Sequence, residues 1–241
     1  LNTGLSFKII IDESHQNFTD KADAIVQLFK TDKIIRCSAT PIVDKKAKLI
    51  EIAEEDVIAE GLIKKLLVIN ENFPQTIETD NQTWYLLERA LNKQREVKSI
   101  FLNKGIAVNL LIVVQLPNNN DALCDSVEEY FATQGINIEN ETLAIWLSGR
   151  HENIEDISDN DGKQIAVVIK QAVATGWDCP RAQILVKLRE NMDETFEIQT
   201  IGRIRRMPEA KHYDNDVLDC CYLYTFDQKF TAGVKQALSK G

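Results

Sequence analysis

Four short stretches of this 241-residue chain carry side chains whose types and spacing suit work on a phosphate ester. Asp12-Glu13-Ser14-His15 follows the apolar run Phe7–Ile11. Two carboxylates at the exit of a buried strand stand where α/β folds bind ligands. One can hold Mg²⁺, usually through water, because that ion takes only one or two protein oxygens. The other can orient the attacking water in phosphoryl transfer. The same residues also serve as a polar strand end or a helix cap. Ser38-Ala39-Thr40, before Pro41, reads either as a set of turn formers or as a hinge coupling a nucleotide site to a neighbouring lobe. In Thr175-Gly176-Trp177-Asp178-Cys179-Pro180 the glycine permits close backbone approach to a ligand, and Asp178 can accept from a ribose hydroxyl or an arginine. A tight turn with an Asx bond before proline has the same composition. Trp177 can stack on a base but is expected to pack between lobes, and Cys179 to be a structural thiol. Last comes Gln199-Thr200-Ile201-Gly202-Arg203-Ile204-Arg205-Arg206. On a helix, Gln199, Arg203 and Arg206 share one face, and guanidinium forks stabilise charge on a transferring phosphoryl group. A solvated basic helix face would look alike.

The elements that must position these groups alternate strand and helix. Phe7–Ile11 and Ile34–Cys37 are apolar, β-branched runs of the kind buried in parallel sheets. Between them Ala22, Ile25, Val26 and Phe29 fall on one helical face, with Thr19 as N-cap. A Lys/Glu-rich stretch over about 44–60 predicts a solvated helix and linker. Strands are then expected at Leu66–Ile69, Ala107–Leu116, Ala144–Leu147, Ile165–Ile169, Ile184–Leu188 and Cys221–Phe226. The intervening helices are expected near 81–102, 121–131, 194–205 and 227–238, and the acidic stretch Glu152–Asp161 as an exposed loop. This order predicts an α/β fold, a parallel sheet with helices on both faces. A break near residue 55 divides the chain into 1–54 and 55–241. The first part, two strands and a helix, reads as the end of a domain that begins upstream of Leu1.

Composition narrows the classes. With 28 basic and 37 acidic residues the net charge is −9 and the pI about 5.0. That excludes a wholesale polyanion binder but leaves room for a motor with basic groups in one groove. Five cysteines without a CxxC pair argue for reduced thiols rather than a disulfide framework. Cys220 and Cys221 should point to opposite faces of a strand. The longest apolar run, Leu110–Val114, is far short of the roughly 20 residues that cross a bilayer, and no signal-peptide pattern is visible. No membrane partner and a cytoplasmic location are therefore expected.

The order Asp-Glu-x-His, Ser-Ala-Thr, Gly-x-Asp, Gln-x-x-Gly-Arg-x-x-Arg resembles motifs II, III, V and VI of superfamily 2 helicases and translocases of the DEAD/DEAH kind. Gly176–Ala182 and Gly202–Pro208 look most like the Res subunit of type III restriction–modification enzymes. The resemblance spans essentially the whole chain and implies two RecA-like lobes, the first partial and the second complete, with ATP and Mg²⁺ between them. It implies that Asp12 serves the metal through water and Glu13 the hydrolytic water. It makes His15, Ser38 and Thr40 coupling residues, and it gives Arg203 and Arg206 catalytic roles as arginine fingers. It brings Gln199, Gly176, Asp178 and Gly202 to the nucleotide. Thr175, Gly149 and Arg150 would face nucleic-acid backbone. Ser14 departs from the Ala or Pro common at its position. The implied partners are DNA and a methyltransferase (Mod) subunit. No Gly-x-x-x-x-Gly-Lys-Ser/Thr run is present; the nearest fragment, Asp161-Gly162-Lys163-Gln164, lacks the first glycine and the hydroxyl. The phosphate-cradling loop is therefore expected upstream of Leu1, and these residues alone are expected to hydrolyse ATP negligibly. Other readings stay open: a motor-like binding or regulatory module without catalysis, and an RNA motor. An unrelated α/β enzyme with chance motifs predicts that Gln199, Arg203 and Arg206 point away from the strand ends carrying Asp178.

Overall fold

A computed structural model describes residues 6–12, 14, 19–38, 47–74, 79, 81–117, 121–170, 177–188 and 201–238. The chain divides into two compact units, Leu1–Glu51 and Ile52–Gly241.

The first unit is a βαβ element. Strand β1 (Ile9–Ile11) and strand β2 (Ile34–Arg36) pair in parallel, joined by helix α1 (Asp20–Gln27). The helix starts where expected because Thr19 Oγ accepts from the Ala22 amide at 3.2 Å, and Asp20 and Asp23 complement the positive end of its dipole. Phe29 packs edge-on against Phe7, ring centroids 5.3 Å apart. Two strands and one helix supply no second layer, so Ile10, Ile25, Leu28 and Ile35 stay exposed, and Ser14 alone among the unit's described residues is buried.

The second unit opens with the short solvated helix α2 (Glu54–Ala59), which buries nothing. Then follow β3 (Leu66–Ile69), α3 (Gln82–Asn103), β4 (Leu111–Gln115), α4 (Asp121–Thr133), β5 (Leu143–Leu147), β6 (Arg150–Glu152), β7 (Ala166–Ile169), β8 (Ala182–Lys187), β9 (Cys220–Tyr224) and α5 (Gln228–Leu238). The seven strands run in the order β3-β9-β8-β4-β7-β5-β6. Every pairing is parallel except that of β5 with β6. Sequence reasoning missed β6 because a three-residue polar strand, Arg-His-Glu, has no hydrophobic period to detect.

Two cores cover the sheet. Ile112, Val114, Ala166, Val168, Cys220, Tyr222 and Tyr224 face α3 and α4, whose Leu87, Leu91, Val97 and Val127 are fully buried. Leu111, Val113, Val167, Ile169, Cys221 and Leu223 face the other way, toward Ile201, Ile204, Phe230 and Val234. The two-residue period of each strand thus sends alternate residues to opposite layers, and Cys220 and Cys221 part as expected. The acidic stretch after β6 is only partly exposed, since it tucks Ile157 into the second core. No helix among the described residues is long and apolar enough to cross a membrane.

Candidate functional site

Five successive residues at the entrance to β8 are each tied down. The Trp177 carbonyl accepts from Arg203 Nη1, and the Asp178 carbonyl accepts from Ser158 Oγ at 2.6 Å. Cys179 Sγ donates to Ile157 O at 3.3 Å, and burial pushes its thiol pKa up to about 11, the inert thiol expected. The Pro180 carbonyl lies 3.5 Å from Lys64 Nζ. Arg181 is fully buried and gives Nε to Ile157 O (2.8 Å), Nη1 to Asn109 O (2.7 Å) and Gln164 O (2.8 Å), and Nη2 to Gln164 Oε1 (2.9 Å). Gly162 is required beside it, since a Cβ there would stand 2.8 Å from Arg181 Nη2. Burial draws the guanidinium's pKa down, as expected for a cation satisfied by carbonyls rather than carboxylates. Trp177 is buried, its ring 5.9 Å from that of Trp146.

From this anchored segment the Asp178 side chain projects into solvent, where its Oδ1 meets Arg206 Nη1 at 2.6 Å. The carboxylate is 59% and the guanidinium 49% exposed. A pair so solvated stabilises a fold by about 0–1 kcal/mol, so it does not hold the two segments together; their anchors do. Having given one of five donors to Asp178, Arg206 keeps a fork that matches phosphate oxygens.

Arg203 sits in the helical turn over 201–204, whose Ile201 and Ile204 pack in the second core. The turn ends because the main chain is diverted into a bridge: Lys64 N donates to Arg205 O at 2.6 Å, Met207 N donates to Leu62 O at 3.0 Å, and Ile63 pairs with Arg206. Arg206 is therefore not on a helix, and the bridge rather than helical spacing sets its direction, a correction to the one-face expectation. Gly202 is exposed, and a Cβ on it would meet nothing within 4 Å. Arg205, not singled out from sequence, is buried and pairs with Glu54 of α2 at 2.7 Å; the bond from Arg205 holds that carboxyl below its usual range. Gln199, Thr175 and Gly176 lie outside the described residues.

In the first unit, Asp12 leaves β1 at an exposed bend. Cys37 N donates to Ile11 O at 2.8 Å and Ser14 N to Cys37 O at 3.0 Å. These bonds lash the two strand exits together and bring Asp12 and Ser38 to one edge. Glu13, His15 and Thr40 lie outside the described residues. No group of three or more His, Cys, Asp or Glu side chains that could hold a metal occurs among the described residues. A single hard carboxylate at Asp12 fits an ion that draws most of its ligands from water and phosphate, as Mg²⁺ does.

Gly149 and Arg150 occupy the opposite edge of the sheet from Asp178. Gly149, at φ +85°, makes the two-residue turn between β5 and β6, whose ends pair as Leu147 with Arg150. Arg150 gives Nη1 (2.6 Å) and Nη2 (3.0 Å) to the Glu128 carboxylate on α4. That hydrogen bonding raises its pKa. At the same edge a cavity of about 100 Å³ is lined by Gln82, Thr83, Lys187, Thr225 and Asp227 among others. Lys187 pairs with Asp227 at 2.5 Å with both side chains nearly buried, and its ammonium lies 4.1 Å from the Phe230 ring centroid. Burial favours the protonated Asp227, but the Lys187 bond and the amides of α5 outweigh it and lower its pKa. The described part of the Thr175–Pro180 motif thus lies at the entrance to β8 rather than the exit of β7. Residues 171–176, which span the crossover, are outside the described set.

No protein-family model and no curated protein matches this chain. Solved structures do. One is a fragment assigned as the HsdR subunit of a type I restriction enzyme from Vibrio vulnificus, at 16% identity over 96% of this chain and 45% of that one, TM-score 0.55. Another is the helicase Lhr of Mycobacterium smegmatis bound to single-stranded DNA and AMP-PNP, at 16% identity over 97% and 30%, TM-score 0.51. A third is S. cerevisiae Dbp5 bound to Gle1 and IP6, at 13% identity over 97% and 62%, TM-score 0.50. The chain spans between 30% and 62% of these proteins' lengths. Likeness at such identities is likeness of fold. The chain has the α/β, RecA-like fold of helicase proteins, a mostly parallel sheet with helices on both faces.

Proposed function

We propose that this chain is part of an ATP-dependent DNA helicase or translocase of superfamily 2, of the type III restriction (Res) branch, working in the cytoplasm on DNA with a methyltransferase partner. The observation that carries the proposal is the Asp178–Arg206 contact at 2.6 Å. Two motifs far apart in sequence deliver a carboxylate and a guanidinium to one spot, on segments anchored independently of that contact. Chance motifs on an unrelated enzyme predict side chains pointing apart. The fold shared with Lhr and with the HsdR fragment supports the same class.

In this mechanism Arg206 exchanges its carboxylate partner for phosphate oxygens of ATP, and Asp178 accepts from the ribose or steers Arg206 between substrates. Arg203 keeps the Trp177 main chain in register with its own helical turn. Asp12 is the carboxylate that would hold Mg²⁺, which when bound neutralises charge on the transferring phosphoryl group. Glu13 orients the attacking water, and Ser38 beside Asp12 passes the change at the nucleotide to the rest of the first unit. Gln199, Gly176 and Gly202 complete the nucleotide contacts, while Thr175, Gly149 and Arg150 touch DNA backbone without reading sequence.

ATP turnover by the full-length protein, with and without DNA or RNA, tests the proposal. Arg206→Ala should lower DNA-stimulated kcat by about 10³-fold or more, the effect of losing an arginine finger, with the fold intact because the side chain is half exposed. Turnover unchanged in Arg206→Ala would overturn the assignment. Stimulation by RNA but not DNA would move the protein to the RNA branch.

A further inference from the structure

Lys64 stands where a hydrocarbon side chain would ordinarily be. It is fully buried. The titratable groups around its ammonium are the thiols of Cys221 and Cys179 and the carboxylate of Asp219. That carboxylate already accepts from Lys65 Nζ at 3.0 Å and from the amides of Tyr213 (2.7 Å) and Asn215 (3.3 Å). Burial lowers the Lys64 pKa to about 8. An interior cation with no carboxylate of its own opposes folding, and an apolar side chain of similar size would serve stability as well or better.

What Lys64 does have is two carbonyls on two different segments. Its Nζ donates to the carbonyl of Arg206 and lies 3.5 Å from that of Pro180, while its own amide donates to Arg205 O at 2.6 Å. Arg206 is one member of the exposed ion pair, and Pro180 lies two residues beyond the other, Asp178. We infer that Lys64 is a positioning residue, an internal cross-link that fixes the main chain bearing Asp178 against the main chain bearing Arg206. The inference rests on the assignment of those two side chains to the nucleotide. The solvated pair cannot do this itself, since salt and water compete for both members. A buried ammonium with three donors can, because nothing inside the fold competes for the carbonyls.

Lys64→Met keeps length and apolar volume but removes every donor; Lys64→Arg restores donors. In the full-length protein, Lys64→Met should lower kcat for DNA-stimulated ATP hydrolysis about tenfold or more while leaving the KM for ATP within about twofold, the signature of misplaced reacting groups. Lys64→Arg should recover part of the loss. Hydrogen exchange gives a readout independent of turnover. Amides over 177–182 and 205–207 should exchange about tenfold faster in Lys64→Met, with β4 and β7 protected as in the parent. Unchanged kcat in folded Lys64→Met, unchanged exchange, or a loss of protection spread evenly over the sheet would each overturn the inference. Should the parent show no ATP turnover, or Arg206→Ala leave it intact, the functional assignment alone fails, and the exchange pattern still decides whether Lys64 clamps the two segments.

Discussion

The two edges of the sheet in the second unit partner their cations in opposite ways. At the edge where strands begin, Lys64 and Arg181 give their donors to main-chain carbonyls of Pro180, Arg206, Asn109, Ile157 and Gln164. At the edge where strands end, Lys187 and Arg150 give theirs to the carboxylates of Asp227 and Glu128. The titration shifts follow. Burial lowers Lys64 and Arg181, neither of which is bonded to a carboxylate. Arg150 is raised by its partner, and Asp227 is lowered against the effect of burial. A carbonyl cannot rotate away without moving the backbone, so a cation bound to carbonyls fixes main-chain geometry. A carboxylate on a side chain can be exchanged for another anion. The first edge ties main-chain segments beside Asp178 and Arg206 to one another, and the second ties side chain to side chain.

The largest expected effect breaks the first edge. Arg181→Leu leaves four acceptors without their donors, and should destabilise the fold by about 3 kcal/mol or more, since each unsatisfied buried acceptor costs about 1–3 kcal/mol. For a unit of this size that lowers Tm by roughly 2–4 °C per kcal/mol, measurable by calorimetry. A loss below about 1 kcal/mol would mean that the carbonyls find other donors and that the two edges do not differ as described.

How much of this was legible in the sequence depends on what each residue was competing with. Strand positions were readable wherever β-branched runs met a turn residue, and Thr19 as N-cap followed from its hydroxyl ahead of an amphipathic run. Asp178 and Arg206 stood out because acid and base flanked glycine and proline in a familiar order. Lys64 did not. Ile63-Lys64-Lys65-Leu66 gives two lysines equal standing, yet Lys65 reaches Asp219 from a partly exposed position while Lys64 is fully buried. Only the bridge of Ile63 to Arg206 turns one inward, and that pairing is tertiary. Arg181 lay inside a quoted motif but had no visible partner, because three of its four acceptors are main-chain carbonyls that every sequence possesses. Arg206 was misplaced onto a helix for a related reason: helical spacing continues past 204, and a distant strand entrance ends it.

A smaller effect sharpens the same comparison through pH. Burial pushes the Lys64 pKa down to about 8 from an ordinary 10.5. Between those values the unfolded chain binds the extra proton, so this group makes stability rise with pH, by up to about 3 kcal/mol over the window. The buried thiols work oppositely. Cys179 is raised to about 11, and Cys124 and Cys221 to about 12, from an ordinary 9.0. Their contribution is intact below pH 9 and lost as pH climbs through those values. Cys179 and Cys221 also feel the Lys64 charge, so the Lys64→Met minus wild-type difference in unfolding free energy is read between pH 8 and 9, below the ordinary thiol value, where it should shrink as pH rises. A flat difference would show that the ammonium is not desolvated. At the other edge the sign is the same and the window lies in acid: Asp227, held below its usual 3.8, supports the fold above that pH and loses its contribution as pH falls, which Asp227→Asn should abolish.

Arg150 carries the smallest expected effect on stability and the one most informative about the second edge. Its bond to Glu128 is bidentate, but the guanidinium is 40% exposed, so Arg150→Ala should change stability by no more than about 1 kcal/mol. Its effect on DNA binding should be separable from that. If Arg150 trades Glu128 for a phosphate, each such contact contributes about one unit to the slope of log affinity against log salt. Arg150→Ala then flattens the slope by about that much, equally for every DNA sequence. Glu128→Gln makes the opposite case, because it leaves the guanidinium in place and withdraws the competing charge. DNA affinity at low salt should rise in Glu128→Gln, with a steeper salt dependence. If both variants bind DNA as the parent does, the pair is only a brace between α4 and the β5–β6 turn, and the exchangeable carboxylates of this edge have no anion to exchange for.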